Sequence, residues 1–231
     1  MEKMKNTGGG INELVNHTIA RLMFKSSFLR RKIVNFGEIA DFDNWVRSQF
    51  SVSSISVRRE KLWELILDEY STTDEIHCVE FGVAFGYLTQ WWILQNKIKI
   101  LKWDGFDRFT GLPQEWRFHE RGAFDAGGVT PNLSDNRISW HVGDVQDTIS
   151  GLSFVPSTRK LIFFDFDLFE PTLVAWEFIK ESLSSGDVLY FDEAYAKDER
   201  LVLIDHILPN FKVKLIGSTT TALALKIITK K

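Results

Sequence analysis

Acidic residues close several apolar segments that have the composition of buried strands. Glu80 closes the segment 76–80, and Asp107 closes the segment 98–107. In open α/β sheets, ligands bind in the crevice beyond the carboxyl ends of the strands, where the strand order reverses. We therefore expect these two carboxylates to face one ligand.

The turn that follows the first of these acids is rich in small residues. It reads Gly82-Val83-Ala84-Phe85-Gly86. Gly82 and Ala84 would let a ligand approach the backbone, and Gly86 would let the chain enter a helix closely. A dinucleotide fingerprint needs glycines at positions 82, 84 and 87, but position 84 is Ala84 and position 87 is Tyr87. The glycine pair alone is equally compatible with a structural role.

This failure of the dinucleotide pattern favours a nucleoside ligand without phosphates. S-adenosylmethionine is such a ligand, and Glu80 would meet its ammonium group. Asp107 lies roughly 20 residues past the glycine turn, where an acid can hold ribose hydroxyls. Gly143-Asp144-Val145 follow a third apolar segment and would contact an adenine edge.

Two further pairs of acids follow the fourth and fifth predicted strands. Asp165 and Asp167 are two residues apart, so in an extended chain both would point to the same face. Asp192 and Glu193 end the neighbouring strand. So many like charges are unfavourable together unless a cation offsets them, and an all-oxygen set indicates Mg²⁺ or Ca²⁺. Such an ion could bind an acceptor hydroxyl and lower its pKa.

These acids also have structural alternatives, which the sequence leaves open. Asp167 or Glu170 could cap the helix that begins near Pro171, because a carboxylate can accept from the free backbone N–H groups at a helix start. Asp192 could instead form an ion pair with a lysine or an arginine.

A long polar segment separates the second and third predicted strands, between Asp107 and Asp135. It has no strong periodicity and is too long for a simple connection, so we expect a lid or a substrate-facing wall. It contains His119, which could act as a general base near neutral pH or remain a solvated loop residue.

Strands and helices alternate along most of the chain. The strands are predicted at 76–80, 98–106, 138–142, 160–166 and 187–191, and two β-rich runs follow at 211–216 and 222–228. Near-continuous apolar strands separated by helices predict a mostly parallel sheet that is buried on both faces. The last two runs are joined tightly enough for an antiparallel hairpin. We predict an α/β fold with a seven-stranded, doubly wound, Rossmann-like sheet.

The N-terminal region has helical rather than strand-like patterns. Loosely helical spacing covers 11–24, a basic amphipathic piece covers 28–33, and a clearer helix spans 56–70. We predict a helical N-terminal extension over 1–55 and one α/β domain over 56–231. The aromatic and basic character of the extension suggests a homodimer.

The composition excludes several classes of protein. The 231 residues include 28 Lys and Arg and 31 Asp and Glu, for a formal net charge of −3, which argues against nucleic acid as the main partner. No segment reaches the roughly 18 consecutive apolar residues of a membrane span. The single cysteine, Cys78, excludes an intrachain disulfide and is typical of a reduced, cytoplasmic protein.

Four segments resemble the macrocin O-methyltransferase family of class I S-adenosylmethionine-dependent methyltransferases. The most specific match is Gly105-Phe106-Asp107-Arg108-Phe109-Thr110-Gly111-Leu112-Pro113, which is similar to the FDSFEGLP segment of the family. The other three segments are Val79-Glu80-Phe81-Gly82-Val83 followed by Gly86, Asp165-Phe166-Asp167-Leu168-Phe169-Glu170-Pro171-Thr172, and Tyr190-Phe191-Asp192-Glu193.

The resemblance implies transfer of a methyl group to a hydroxyl of a small molecule, often a sugar or a natural-product scaffold. It implies Mg²⁺ at Asp165, Asp192 and Glu193. We expect either Asp165 or the bound ion to help remove the hydroxyl proton. The predicted contacts with the S-adenosylmethionine cofactor are Glu80, Gly82, Ala84, Gly86, Thr89, Asp107, Arg108, Gly143, Asp144, Val145 and Asp165.

The sequence departs from the family pattern at three positions. Leu88 replaces a serine after the glycine turn, with Thr89 next along the chain. Glu193 replaces the second of two aspartates and would reach further to a metal. Phe169 replaces a tyrosine and removes a hydroxyl group.

Two other functions remain open at this stage. A nicotinamide-dependent oxidoreductase is disfavoured by Ala84 and Tyr87. A non-catalytic, methyltransferase-like protein that serves binding or assembly is disfavoured by the number of acids at the strand ends, because such a charge cluster has no purpose without a ligand.

Overall fold

The computed structural model describes residues 9–50 and 58–231. The described residues fall into two compact units, which divide between Ala40 and Asp41. Helix α1 spans Gly9–Lys25 and helix α2 spans Ser27–Gln49, so α2 is much longer than the piece predicted at 28–33. The second unit begins before the predicted boundary at 55/56, which lies outside the described residues. Phe42 and Val46 of α2 are buried in this second unit.

Seven strands form one sheet in the order β3-β2-β1-β4-β5-β7-β6. Strand β7 runs antiparallel to both of its neighbours, and the other pairs are parallel. The predicted α/β sheet and its closing antiparallel pair are therefore confirmed. The strands are β1 (Glu75–Phe81), β2 (Lys99–Asp107), β3 (Ile138–Val142), β4 (Arg159–Phe164), β5 (Val188–Phe191), β6 (Phe211–Ser218) and β7 (Leu223–Lys230).

Helices connect the strands and cover the sheet. They are α3 (Arg59–Leu67), α4 (Tyr87–Ile93), α5 (Val145–Thr148), α6 (Phe169–Ile179) and α7 (Lys197–Val202). Short 3₁₀ turns follow α5 and α6, and a π-helical turn (Leu203–Ile207) continues α7. The predicted helix start at Ser56 lies outside the described residues. Within the described part of the chain, no helix is both long and apolar enough to cross a membrane.

Strand β4 ends at Phe164, two residues earlier than predicted. Asp165 and Asp167 therefore lie in the loop after the strand, and the argument that strand alternation gives them one face is wrong. Asp167 has a left-handed backbone with φ of 65°, a conformation that aspartate tolerates better than most residues. This residue bends the chain away from the strand direction before α6 begins.

A buried polar network joins the first three strands. His77 Nε2 lies 2.6 Å from one carboxylate oxygen of Asp104, and His141 Nε2 lies 2.7 Å from the other. His77 Nδ1 accepts a hydrogen bond from the backbone N–H of Val155 at 3.1 Å, so the proton of the neutral ring is on Nε2. The two imidazoles hold the pKa of Asp104 below its ordinary value, although burial alone would raise it.

The polar segment after β2 is folded rather than extended. Isolated antiparallel bridges join Thr110 to Asp125 and Trp116 to His119. Phe109, Arg117 and Phe124 all have left-handed backbones, so the segment turns repeatedly.

Candidate active site

A cavity of about 650 Å³ opens at the carboxyl ends of the parallel strands. Its walls come from the loops after β1 to β5, the segment after β2, the start of α6 and the first residue of α3. Its lining includes Arg59, Gly82, Ala84, Asp107, Arg108, Gly143, Asp144, Val145, Asp165, Asp167, Glu170, Asp192 and Glu193. The sequence order reverses between β1 and β4, so the cavity occupies the position expected for a ligand in an open α/β sheet.

The Asp107 carboxylate organises the floor of this cavity. One of its oxygens accepts hydrogen bonds from the backbone N–H groups of Val83 and Ala84, each at 2.7 Å. The other accepts from the N–H of Phe109 at 2.6 Å. Asp107 thus ties the turn after β1 to the segment after β2, a role that the sequence did not suggest. Each carboxylate oxygen can accept about two bonds, so Asp107 keeps capacity for a ligand hydroxyl.

Contacts within the protein, rather than room for a ligand, require a glycine at the start of this turn. A Cβ on Gly82 would collide with the backbone carbonyl of Asp165, and the backbone of Gly82 is left-handed with φ of 95°. Ala84 is also left-handed and lines the cavity. Gly86 has a left-handed backbone one residue before α4 and packs on Pro131 rather than lining the cavity. The turn therefore joins the ends of β1 and β4 while its outer part faces the ligand space.

Glu80 and Thr89 are behind the cavity wall. The Thr89 hydroxyl donates to Glu80, and the indole N–H of Trp103 donates to the same carboxylate oxygen at 3.0 Å. Both Glu80 and Thr89 are fully buried. Burial raises the pKa of Glu80 to about 8, although its two donors oppose the shift. These two residues, predicted as cofactor contacts, are placed here in the protein interior instead.

The end of β3 supplies a charged corner of the cavity. Arg108 Nε lies 2.9 Å from a carboxylate oxygen of Asp144, and both side chains are partly exposed. Gly143 precedes Asp144, and Val145 begins α5 with its side chain buried. The structure brings these four predicted residues together with Asp107.

The carboxylates after β4 and β5 meet at the opposite end of the cavity. Burial, followed by the charges of neighbouring acids, raises the pKa of Asp165 and of Glu193 well above the ordinary range. The same causes raise the pKa of Asp167 to about 7, with Arg117 opposing. One carboxylate oxygen of Glu193 is buried and has no hydrogen-bond partner. These carboxyl groups therefore tend to keep their protons unless a cation or a positively charged ligand offsets their charge.

Asp192 is the acid of this group that forms an ion pair with an arginine. Arg59 Nη2 lies 3.1 Å from one Asp192 oxygen, and the Tyr190 hydroxyl donates to the other. Burial raises the pKa of Asp192, while Arg59 and the hydroxyl oppose the shift. The alternative of an ion pair at Asp192 is confirmed. No local sequence pattern marks Arg59 for this contact, because a basic residue on the polar face of a helix usually faces solvent.

Glu199 of α7 is a further acid that sequence reasoning missed. Its two carboxyl oxygens accept from the backbone N–H groups of Asp167 at 3.3 Å and Glu193 at 3.2 Å. It is fully buried, and burial together with Asp167 and Glu193 raises its pKa well above the ordinary range. Glu199 therefore links the loops after β4 and β5.

The capping alternative for the acids near α6 is wrong. Leu168 is the residue before α6, and no side chain accepts a bond from the free N–H groups of this helix start. Asp167 instead belongs to the acid cluster, which consists of Asp165, Asp167, Asp192, Glu193 and Glu199. Glu170 is in the first turn of α6 and lines the cavity.

His119 is exposed on the segment after β2 and does not line the cavity. Its ring stacks on Trp116 and contacts Phe124, with centroid distances of 5.8 Å and 4.9 Å. Trp116 donates from its indole N–H to Asp198 at 3.2 Å. The structure thus places His119 in a surface turn that is attached to α7, away from the residues that could accept a proton from a bound ligand.

The acid cluster has the donor chemistry of a hard cation but not the geometry of a closed metal site. Among the described residues, no three Asp, Glu, His or Cys side chains converge closely enough to hold a metal ion. The buried Glu193 oxygen and the crowding of carboxyl groups around Asp165 nevertheless suit an oxygen-preferring divalent ion. Side-chain movement of Asp165 and Glu193 would be needed to bring three ligands together.

Solved structures provide the comparison with known proteins. CalS11, a calicheamicin methyltransferase, is 19% identical to this chain over 98% of each chain, with a TM-score of 0.51. The chain has the class I methyltransferase fold. The fold class expected from the sequence is thereby confirmed. No family model matches the sequence, and no curated protein matches it.

Two further solved structures are similar at lower scores. The apo structure of CalS11, described as a TDP-rhamnose 3′-O-methyltransferase, is 20% identical over 94% of this chain and 95% of its own, with a TM-score of 0.46. The O-methyltransferase NovP is 15% identical over 73% of this chain and 79% of its own, also with a TM-score of 0.46.

Proposed function

We propose that the protein is an S-adenosylmethionine-dependent O-methyltransferase that acts on a small hydroxyl compound. The observation that carries this proposal is one cavity at the strand-order reversal, with Asp107 and a charged corner at one end and an acid cluster at the other. The first end suits a ribose and an adenine. The second suits the cationic methionyl part of the cofactor and an acceptor hydroxyl.

The residues at the adenosine end would contact different groups of the cofactor. Asp107 would accept a hydrogen bond from a ribose hydroxyl at the position that its three backbone donors leave free. Gly143 and Val145 would pack against the adenine ring, while Arg108 and Asp144 hold each other at its edge. Gly82 and Ala84 would run beneath the sulfonium group.

The cofactor supplies an activated methyl group. An acceptor oxygen would form a bond to the methyl carbon as the bond between that carbon and sulfur breaks, and S-adenosylhomocysteine would leave. Asp165 would take the hydroxyl proton, because it lines the cavity and an ionised carboxylate can act as a general base. Much of the rate would come from holding the oxygen about 3–3.5 Å from the methyl carbon.

The acceptor we propose is a small molecule rather than a nucleic acid. Among the described residues that line the cavity, seven carry a carboxyl group and two carry a guanidinium group. A polyanion would be repelled by this lining, since nucleic-acid binding depends on neutralising phosphates with basic side chains.

Calorimetric titration with S-adenosylhomocysteine tests the proposal, because the product binds the same cavity without needing an acceptor. We expect saturable binding of one molecule per chain and no binding of NADH. Binding of NADH without S-adenosylhomocysteine would favour the oxidoreductase instead. No heat at millimolar S-adenosylhomocysteine would contradict a methyltransferase.

We further propose that Mg²⁺ assists the reaction, held by Asp165, Asp192 and Glu193. The ion would lower the pKa of the acceptor hydroxyl. We expect Mg²⁺ to raise the thermal unfolding temperature, because it offsets the clustered carboxylates, and we expect Glu193→Gln to lose this shift. Glu181→Gln, at an exposed surface position, is the control that keeps it. The proposed Mg²⁺ site would be contradicted if Mg²⁺ raised the unfolding temperature equally in both variants, or did not raise it in the wild type.

A further inference from the structure

Few positive charges line the cavity, and they differ in the ion pairs that they form. Among the described lining residues they are Arg59 and Arg108. Arg108 is paired with Asp144 at the adenosine end. Arg59 lies at the other end, where its guanidinium contacts Asp192 through Nη2 and its side chain remains 43% exposed.

The proposed cofactor creates a specific electrostatic problem at this end. Its methionyl part carries a sulfonium, an ammonium and a carboxylate group. The acids of the cluster suit the two cations, but a carboxylate placed among Asp165, Asp192 and Glu193 would be repelled unless a cation faces it. A guanidinium matches a carboxylate in charge and in planar, two-donor geometry.

We propose that Arg59 binds the carboxylate of the methionyl group of the cofactor. This inference rests on the proposed function. The contact with Asp192 uses one nitrogen of the guanidinium, and a guanidinium has five N–H donors on three nitrogens. Arg59 can therefore keep Asp192 and bind a second carboxylate at the same time.

Arg59 is held in place before any ligand arrives. It is the first residue of α3, whose side chains Leu62, Trp63 and Ile66 are fully buried in the core. Its partner Asp192 is fixed by the Tyr190 hydroxyl. A donor that is already oriented loses little freedom on binding, so more of its interaction appears as affinity.

The test compares two ligands that differ only in this carboxylate. S-adenosylhomocysteine has it, and S-adenosyl-3-thiopropylamine, its decarboxylated analogue, does not. We expect Arg59→Gln to weaken S-adenosylhomocysteine about 10- to 100-fold, the range of a charge-assisted hydrogen bond, and to leave the analogue within about threefold. Arg59→Lys, which keeps the charge but not the planar donor pair, should fall between wild type and Arg59→Gln.

The neighbouring Arg58 provides a matched control. Its side chain is 73% exposed, pairs with Glu60 at 3.5 Å and does not line the cavity. Arg58→Gln should leave both affinities unchanged. Calorimetry of each variant with both ligands separates a ligand contact from partial unfolding, because unfolding would weaken the two ligands equally.

Three results would overturn the inference. An equal loss for both ligands in Arg59→Gln would assign Arg59 a structural role, and no loss for either would remove it from the binding site. Unchanged cofactor affinity with a raised acceptor KM would assign it to the acceptor. Failure of wild type to bind S-adenosylhomocysteine would be a different result, since it removes the proposed function and this contact together.

Discussion

Two carboxyl groups near the turn after β1 differ in what surrounds them. Asp107 accepts three backbone hydrogen bonds and borders the cavity. Glu80 has two side-chain donors in a fully buried position, where burial raises its pKa to about 8. The folded protein therefore keeps a proton on Glu80 at neutral pH, and the neutral group is suited to the interior rather than to an ammonium ligand.

Glu80 should make the protein less stable as the pH rises. In the unfolded chain this group loses its proton near pH 4.5, whereas in the folded chain it keeps the proton up to about pH 8. The folded state binds more protons between these values, so this contribution to the free energy of unfolding falls with increasing pH. Glu80→Gln should remove the contribution and gain about 3–5 kcal/mol relative to wild type between pH 5 and pH 8.

Urea unfolding of both proteins at pH 5 and pH 8 measures this difference. Glu64→Gln, on the exposed face of α3, is the control and should follow the wild type at both values. A difference between wild type and Glu80→Gln that is the same at both pH values would show that Glu80 has an ordinary pKa.

At the scale of elements, buried polar contacts join strands that are distant in sequence. Asp104 of β2 connects to His77 of β1 and His141 of β3. Glu199 of α7 connects the loops after β4 and β5. Local apolar patterns predicted the strands themselves, but such contacts depend on which strands become neighbours, so no local pattern contained them.

Removing the centre of the strand network should be costly. Asp104→Ala leaves the buried N–H of His77 without its acceptor, and an unsatisfied buried donor costs about 1–3 kcal/mol. We expect a loss of that size in the free energy of unfolding from urea titration. Asp68→Ala, at an exposed helix end, should change it by less than about 0.5 kcal/mol. A loss below about 1 kcal/mol in Asp104→Ala would mean that the network is dispensable.

The strand β4 was predicted to end two residues too late because only the local sequence pattern was available. Phe164, Phe166 and Leu168 alternate with acids, which is the pattern of a strand that continues. The chain instead leaves the sheet after Phe164, and Asp167 adopts a left-handed backbone. Glu199 holds the backbone N–H of Asp167 in that turn, and this contact comes from a helix far along the chain.

At the scale of the whole molecule, the strand order determines where the site lies. The order β3-β2-β1-β4-β5 places the ends of all five parallel strands around one cavity, so residues from 82 to 193 can act on one ligand. The sequence predicted this arrangement because each strand ends in a polar residue suited to a ligand. It did not predict Arg59, since a basic residue on the polar face of a helix is usually solvated.

A crystal structure of the protein with S-adenosylhomocysteine tests the central claim most directly. The account predicts the ribose within hydrogen-bond distance of Asp107, the adenine beside Val145 and the amino-acid part directed toward Asp165. A ligand bound elsewhere on the protein, or a cavity that stays free of it at saturating concentration, would contradict the claim that these strand ends form a methyl-transfer site.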